Sequence, residues 1–196
     1  MLGIFLDTET NGLNMQRHRV LEVAFKILDI VTGEEKDSYQ AVVLQPYEEW
    51  KKSDPLSLEI NGFSWGEIEK GEPPKKIGEE IQLIFKKHGI QRGQSAFICQ
   101  NPSFDRSFFN QLIDGDIQEK LNWPYHWLDL ASMFWTYCMM NKLPIPRDNA
   151  LSKNKIAEYF HLPPESNPHK AMHGVDHLIL CYQALIGFQS KSACKQ

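Results

Sequence analysis

Ile4-Phe5-Leu6-Asp7-Thr8-Glu9-Thr10-Asn11-Gly12-Leu13 is an apolar run that ends in two carboxylates and a turn. Residues 2–7 read as a buried strand. Alternate side chains of a strand share a face, so Asp7 and Glu9 project together. Two like charges held side by side repel each other unless a cation neutralises them. Carboxylate oxygens are hard ligands, suited to Mg²⁺ or Mn²⁺ rather than to zinc or copper. The Asn11-Gly12 pair then turns the backbone and leaves amides and Leu13 to meet a ligand. The competing reading is a strand end with two solvated acids, and the rest of the chain decides between the two.

Outward from this strand, Val20 to Leu28 and Tyr39 to Leu44 are apolar and β-rich. The turn residues between them suit an antiparallel hairpin. Helical patterns cover 55–63, 76–88, 104–113, 151–160 and 174–188, with Ile77, Ile81, Ile84 and Phe85 on one stripe of the second. Short strands are expected at 95–99 and near 127–130, the latter leading into a helix through Met139. Three strands followed by alternating strands and helices predict an α/β domain with a mixed sheet, where ligands gather at strand ends. A chain of 196 residues is read as one domain over 1–190 with a short tail over 191–196.

The composition, 42% hydrophobic and 23% charged, is that of a globular protein. No apolar run approaches the ~20 residues of a membrane span. Asp7 and Glu9 interrupt any signal-peptide core, so a cytoplasmic chain without a membrane partner is expected. Cys99, Cys138, Cys181 and Cys194 show no C-x-x-C pair or zinc spacing and read as reduced thiols. The net charge of −4 argues against a protein that coats long duplexes, but not against one that grips a strand end. The paired lysines, Lys153 with Lys155 among them, read as solvated helix or loop faces.

Two further acidic segments follow. In Asn101-Pro102-Ser103-Phe104-Asp105 the Asn-Pro pair favours a turn, and Asp105 falls in the first turn of the next helix. Near the end stands His169-Lys170-Ala171-Met172-His173-Gly174-Val175-Asp176-His177. Its histidines have the i, i+4 spacing of helical ligands, but with no H-E-x-x-H pattern and no nearby cysteine, zinc is not favoured. The alternative is one histidine as general base beside Asp176 as a metal carboxylate.

Taken in order, the three segments resemble the exonuclease motifs of the DEDD superfamily, in its DEDDh branch. That branch includes the proofreading subunit of bacterial replicative polymerase, ribonuclease T and oligoribonuclease. Asp7 to Leu13 is close to the family's D-x-E-T-T-G-L, and Asn101, Phe104 and Asp105 match N-x-x-F-D. Weaker likenesses lie at Arg19 to Ala24, Ile60 to Phe63 and His126 to Leu130. The third motif departs from the pattern of a histidine, four residues and an aspartate. Counting from His169 without a gap puts Gly174 at the aspartate's place. Using Asp176 requires either two extra residues after His169 or a transfer of the base role to His173.

The resemblance implies a ribonuclease H-like fold, a mixed central sheet flanked by helices. It implies that Asp7, Glu9, Asp105 and Asp176 hold two divalent cations, Mg²⁺ or Mn²⁺, about 3.5–4 Å apart. His169, with His173 as the alternative, would be the general base. Thr10, Asn11, Gly12 and Leu13 would receive the last nucleotide. The implied reaction is hydrolysis from the 3′ end of single-stranded DNA or RNA to nucleoside 5′-monophosphates. A homodimer is compatible with the likeness. The altered third motif raises a different class, a catalytically weak module that binds nucleic-acid ends.

Overall fold

Strand β1 (Leu2–Thr10) is buried along almost its whole length, because it runs through the middle of the sheet and helices cover both faces. The computed structural model describes residues 1–189. The expected tail over 191–196 and Cys194 lie outside the described residues, while Cys99, Cys138 and Cys181 are buried free thiols. The other strands are β2 (Val20–Asp29), β3 (Glu35–Val42), β4 (Ser95–Cys99) and β5 (Trp127–Asp129). They form one sheet in the order β3-β2-β1-β4-β5. β1 to β3 pair antiparallel, and β4 joins β1 and β5 in parallel. The mixed α/β sheet expected from the sequence is therefore present, in a single domain.

The helices are α1 (Tyr47–Trp50), α2 (Pro55–Asn61), α3 (Trp65–Ile68), α4 (Pro74–Lys87), α5 (Pro102–Phe109), α6 (Gly115–Lys120), α7 (Leu130–Met140), α8 (Lys153–Tyr159) and α9 (Ala171–Leu185). Among the described residues none is long and apolar enough to cross a membrane. Short polar residues set their starts. Asp54 accepts from the Leu56 amide and Pro55 opens α2; Asp129 accepts from the Ala131 amide at the head of α7. Pro74 and Pro102 stand inside α4 and α5, so both helices begin two residues earlier than their apolar patterns suggest. The short helices α1, α3 and α6 carry too few apolar repeats to be seen by periodicity.

Alternation along β1 divides the core. Ile4 and Leu6 join Phe25, Ile77, Phe85, Phe97 and Phe109 on the face covered by α4 and α5. Phe5 joins Ala24, Ile98, Phe134, Val175, Leu178 and Tyr182 on the face covered by α7 and α9. Asp7 and Glu9 continue the Phe5 row, so they emerge beneath α9.

The start of α9 differs from the sequence expectation by three residues, and the reason is a long-range contact. The buried carboxylate of Glu22, on β2, accepts the Ala171 backbone N–H at 2.7 Å. It serves as the cap that Lys170 does not supply. The helix therefore begins just after His169 and places Gly174 in its interior.

Candidate active site

β1 keeps its register against β2 to Glu9, shifts it between Glu9 and Thr10, and carries Asp7 and Glu9 into the buried interior at 8% and 9% exposure. Asp105, in the first turn of α5, is buried and reaches β1, where the Thr8 hydroxyl donates to its Oδ1 at 3.0 Å. The three carboxylates sense one another. Burial pushes the Asp7 carboxyl up, against the opposing pull of Lys153. Burial, then the charge of Asp7, raises Glu9 to about 8, and the same two causes raise Asp105 to about 8. Glu9 also lies directly opposite Glu22 in the β1–β2 register, and the charge of Glu22 adds to the rise in the Glu9 pKa. This corner of the sheet thus gathers carboxyls that favour the neutral form until a positive partner arrives.

The structure does not bring Asp176 to this cluster, which corrects the alignment that gave it a metal-ligand role. Two residues on a helix are about 200° apart, and it is Gly174 that faces Asp7. A Cβ on Gly174 would lie 2.1 Å from Asp7 Oδ2 and 2.9 Å from Lys153 Nζ. Asp176 is 54% exposed and pairs with Lys26 at 2.7 Å, which raises that lysine's pKa. The ungapped count from His169 is therefore the one the helix obeys. His173 is exposed and borders a separate pocket with Asp176, Pro163 and Leu180. His169 is half-buried, fixed by its backbone N–H to Ile60 O at 3.0 Å, and close enough for its charge to lower the Asp7 pKa.

Lys153, read from the sequence as a solvated lysine, is buried at the centre of the cluster instead. Its ammonium donates to Asp7 Oδ1 and Glu165 Oε1, each at 3.0 Å, with Gly174 O at 3.4 Å. Burial alone would lower its pKa; Asp7 and Glu165 overcome that and raise it. Glu165, whose side chain is 2% exposed, is held by its backbone N–H to Asn154 Oδ1 at 2.8 Å. The buried His177 stands beside it, Nδ1 at 3.9 Å from Oε2, while its Nε2 donates to Pro163 O. Sequence reasoning missed Lys153 and Glu165, since neither belongs to a motif.

The turn after β1 is framework more than cradle. Asn11 is fully buried, and every polar group of its side chain is engaged: Nδ2 donates to Glu49 O and Ser53 Oγ, and Oδ1 accepts from the Arg19 amide. Its own amide donates to Arg19 O. Asn11 is thus held as part of the framework of the turn. Thr10 is buried and donates to Gly12 O at 2.9 Å. Gly12 has a φ of 156°, and a Cβ there would lie 2.3 Å from the His18 ring, so only glycine fits. Leu13 is 76% exposed and available to a ligand.

As the side chains stand, no three His, Cys, Asp or Glu among the described residues surround a common metal position. The donor set of Asp7, Glu9 and Asp105 nevertheless has the hard oxygen chemistry of a Mg²⁺ or Mn²⁺ site. A four-carboxylate set does not fit, because α9 faces Asp7 with a glycine and the Lys153 ammonium fills the space beside it.

No protein-family model matches this sequence, and no curated protein sequence matches it. Solved structures share its fold. Cell-death related nuclease 4 aligns with 96% of this chain and 65% of its own, at TM-score 0.72 and 16% identity. The nuclease domain of 3′hExo, a DEDDh family member bound to rAMP, aligns over 97% and 94%, at 0.70 and 12%. The zinc-bound form of E. coli ExoI with single-stranded DNA aligns over 94% and 40%, at 0.68 and 16%. The chain thus has the ribonuclease H-like fold of DEDDh 3′–5′ exonucleases, while spanning less than two thirds of the length of the first-named of these proteins.

Proposed function

We propose that this protein is a metal-dependent 3′–5′ exonuclease that trims single-stranded DNA or RNA to nucleoside 5′-monophosphates. The observation that carries the reading is the convergence of Asp7, Glu9 and Asp105, buried, beside His169, in a fold shared with such enzymes. Asp7, Glu9 and Asp105 would hold a divalent cation, Mg²⁺ or Mn²⁺, which when bound would supply an activated water and neutralise charge on the phosphodiester. His169 takes the water's proton at an imidazole nitrogen, acting as the general base. Its backbone bond to Ile60 O anchors the chain at His169, whose charge reaches Asp7.

Leu13, exposed beside the turn, packs against the terminal base. Thr10 and Gly12 shape the backbone that meets the terminal sugar. Asn11 serves the same end indirectly, by bracing that turn against α1. The test is gel analysis of 5′-labelled single-stranded DNA and RNA with Mn²⁺ or Mg²⁺. A ladder that shortens from the 3′ end and vanishes with Asp7→Asn is expected. Tight binding of ends by folded, metal-loaded protein with no ladder on either polymer assigns it instead as an end-binding module.

A further inference from the structure

The ammonium of Lys153 has the surroundings of a bound cation. A lysine has three donors, and here all three find acceptors: a carboxylate of β1, a carboxylate of the loop before α9, and a carbonyl of α9 itself. The side chain is 11% exposed, and its partner Glu165 is 2% exposed. The trio is also built from both sides. Lys153 opens α8, and the next residue, Asn154, accepts the Glu165 amide, so Lys153 and Glu165 are set in place by the same turn of chain. Gly174 completes the arrangement, since any side chain there would strike both Asp7 Oδ2 and the ammonium.

We propose that Lys153, seated by Glu165, is a built-in monovalent cation standing where a second divalent ion would bind, so that the site takes a single divalent ion. This rests on the exonuclease reading for the role of that ion, but not for its number. The argument is one of charge and place. Lys153 takes Asp7 Oδ1 and leaves Oδ2, with Glu9 and Asp105, to one divalent cation. A second would have to share Asp7 with a fixed ammonium and would find no carboxylate from α9. Glu165 supplies the fourth negative charge of the cluster, but spends it on the lysine.

Mn²⁺ titration followed by calorimetry and electron paramagnetic resonance tests this without reference to turnover. The wild-type chain is expected to bind one Mn²⁺, with the hyperfine-split spectrum of an isolated ion. A Lys153→Ala variant, which frees Asp7 Oδ1 and Glu165 Oε1, is expected to bind two, with the broadened spectrum of a coupled pair. Two ions on the wild-type chain would overturn the proposal, as would a folded variant that still binds one. The wild-type measurement decides the matter even if the variant does not fold. Absence of trimming by a chain that holds its one ion would defeat the exonuclease reading and leave this one standing.

Discussion

Asp7 and Asp176 both adjoin helix α9, one on its inner face and one on its rim, and their fates differ. Asp7 is buried, shares a lysine with Glu165 and answers to the charges of its neighbours. Asp176 is half exposed and pairs with Lys26 of β2. The residue that looks inward at Asp7 from α9 is a glycine. An acid therefore joins the cluster according to its angle on the helix, not its nearness in the sequence. The strand side of the cluster is acidic by direct placement of Asp7 and Glu9. The helix side has exchanged an acidic side chain for space, and a lysine fills it.

The sharpest way to break this contrast is at Asp7. Asp7→Asn, or chelation of the divalent cation, is expected to reduce 3′ trimming on the order of a thousandfold, comparable to loss of a principal transition-state contact. Trimming unchanged by either treatment would show that the strand side of the cluster is not the reacting centre.

Next in size is Lys153→Met, which leaves Asp7 and Glu165 buried without their shared partner. Removal of one member of a buried ion pair costs about 3–5 kcal/mol. Urea denaturation should show that loss in the metal-free protein, and adding Glu165→Gln should recover part of it. A Lys153→Met chain as stable as the wild type would mean that the ammonium is not neutralising the cluster.

His169→Ala is expected to slow trimming at least about a hundredfold, as for loss of a general base, with His173→Ala near wild type. The reverse order would move the base role one turn along α9. The smallest effect belongs to the rim. Asp176→Asn should leave trimming intact and cost under ~1 kcal/mol in the same denaturation experiment, as a half-exposed ion pair does. A large loss of activity from Asp176→Asn would return it to the metal site and undo the contrast.

The same contrast explains what could be read from the sequence. Asp7 and Glu9 share a face of one strand, so the period of a strand is enough to place them together. Asp105 follows an Asn-Pro turn that fixes the start of α5, and its helix position is legible for that reason. The third motif failed because its register depends on Glu22, a residue of β2 that caps a helix 149 positions away. Gly174 has no side chain to announce a role. Lys153 lies 146 positions from Asp7 and 12 from Glu165, so no local spacing marks the trio, and an isolated lysine reads as solvated. The overall sheet was legible because hydrophobic runs and turn residues encode it locally. The electrostatic centre was not, because it exists only after the layers meet.

The close approach at Gly174 has a consequence for how this chain can change over generations. A glycine codon ending in a pyrimidine is one base away from an aspartate codon, so an acid on the inner face of α9 is a short mutational step. Taken alone, that step drives a new side chain into Asp7 and Lys153. Loss of Lys153 alone strands two buried carboxylates. Each single route passes through a damaged intermediate, and removing Lys153 as well leaves the 2.1 Å approach to Asp7 Oδ2 in place, so the pair of changes also needs Asp7 to turn aside. Gly174 and Lys153 are thus tied to each other through Asp7, and neither position can gain or lose its side chain without a third adjustment.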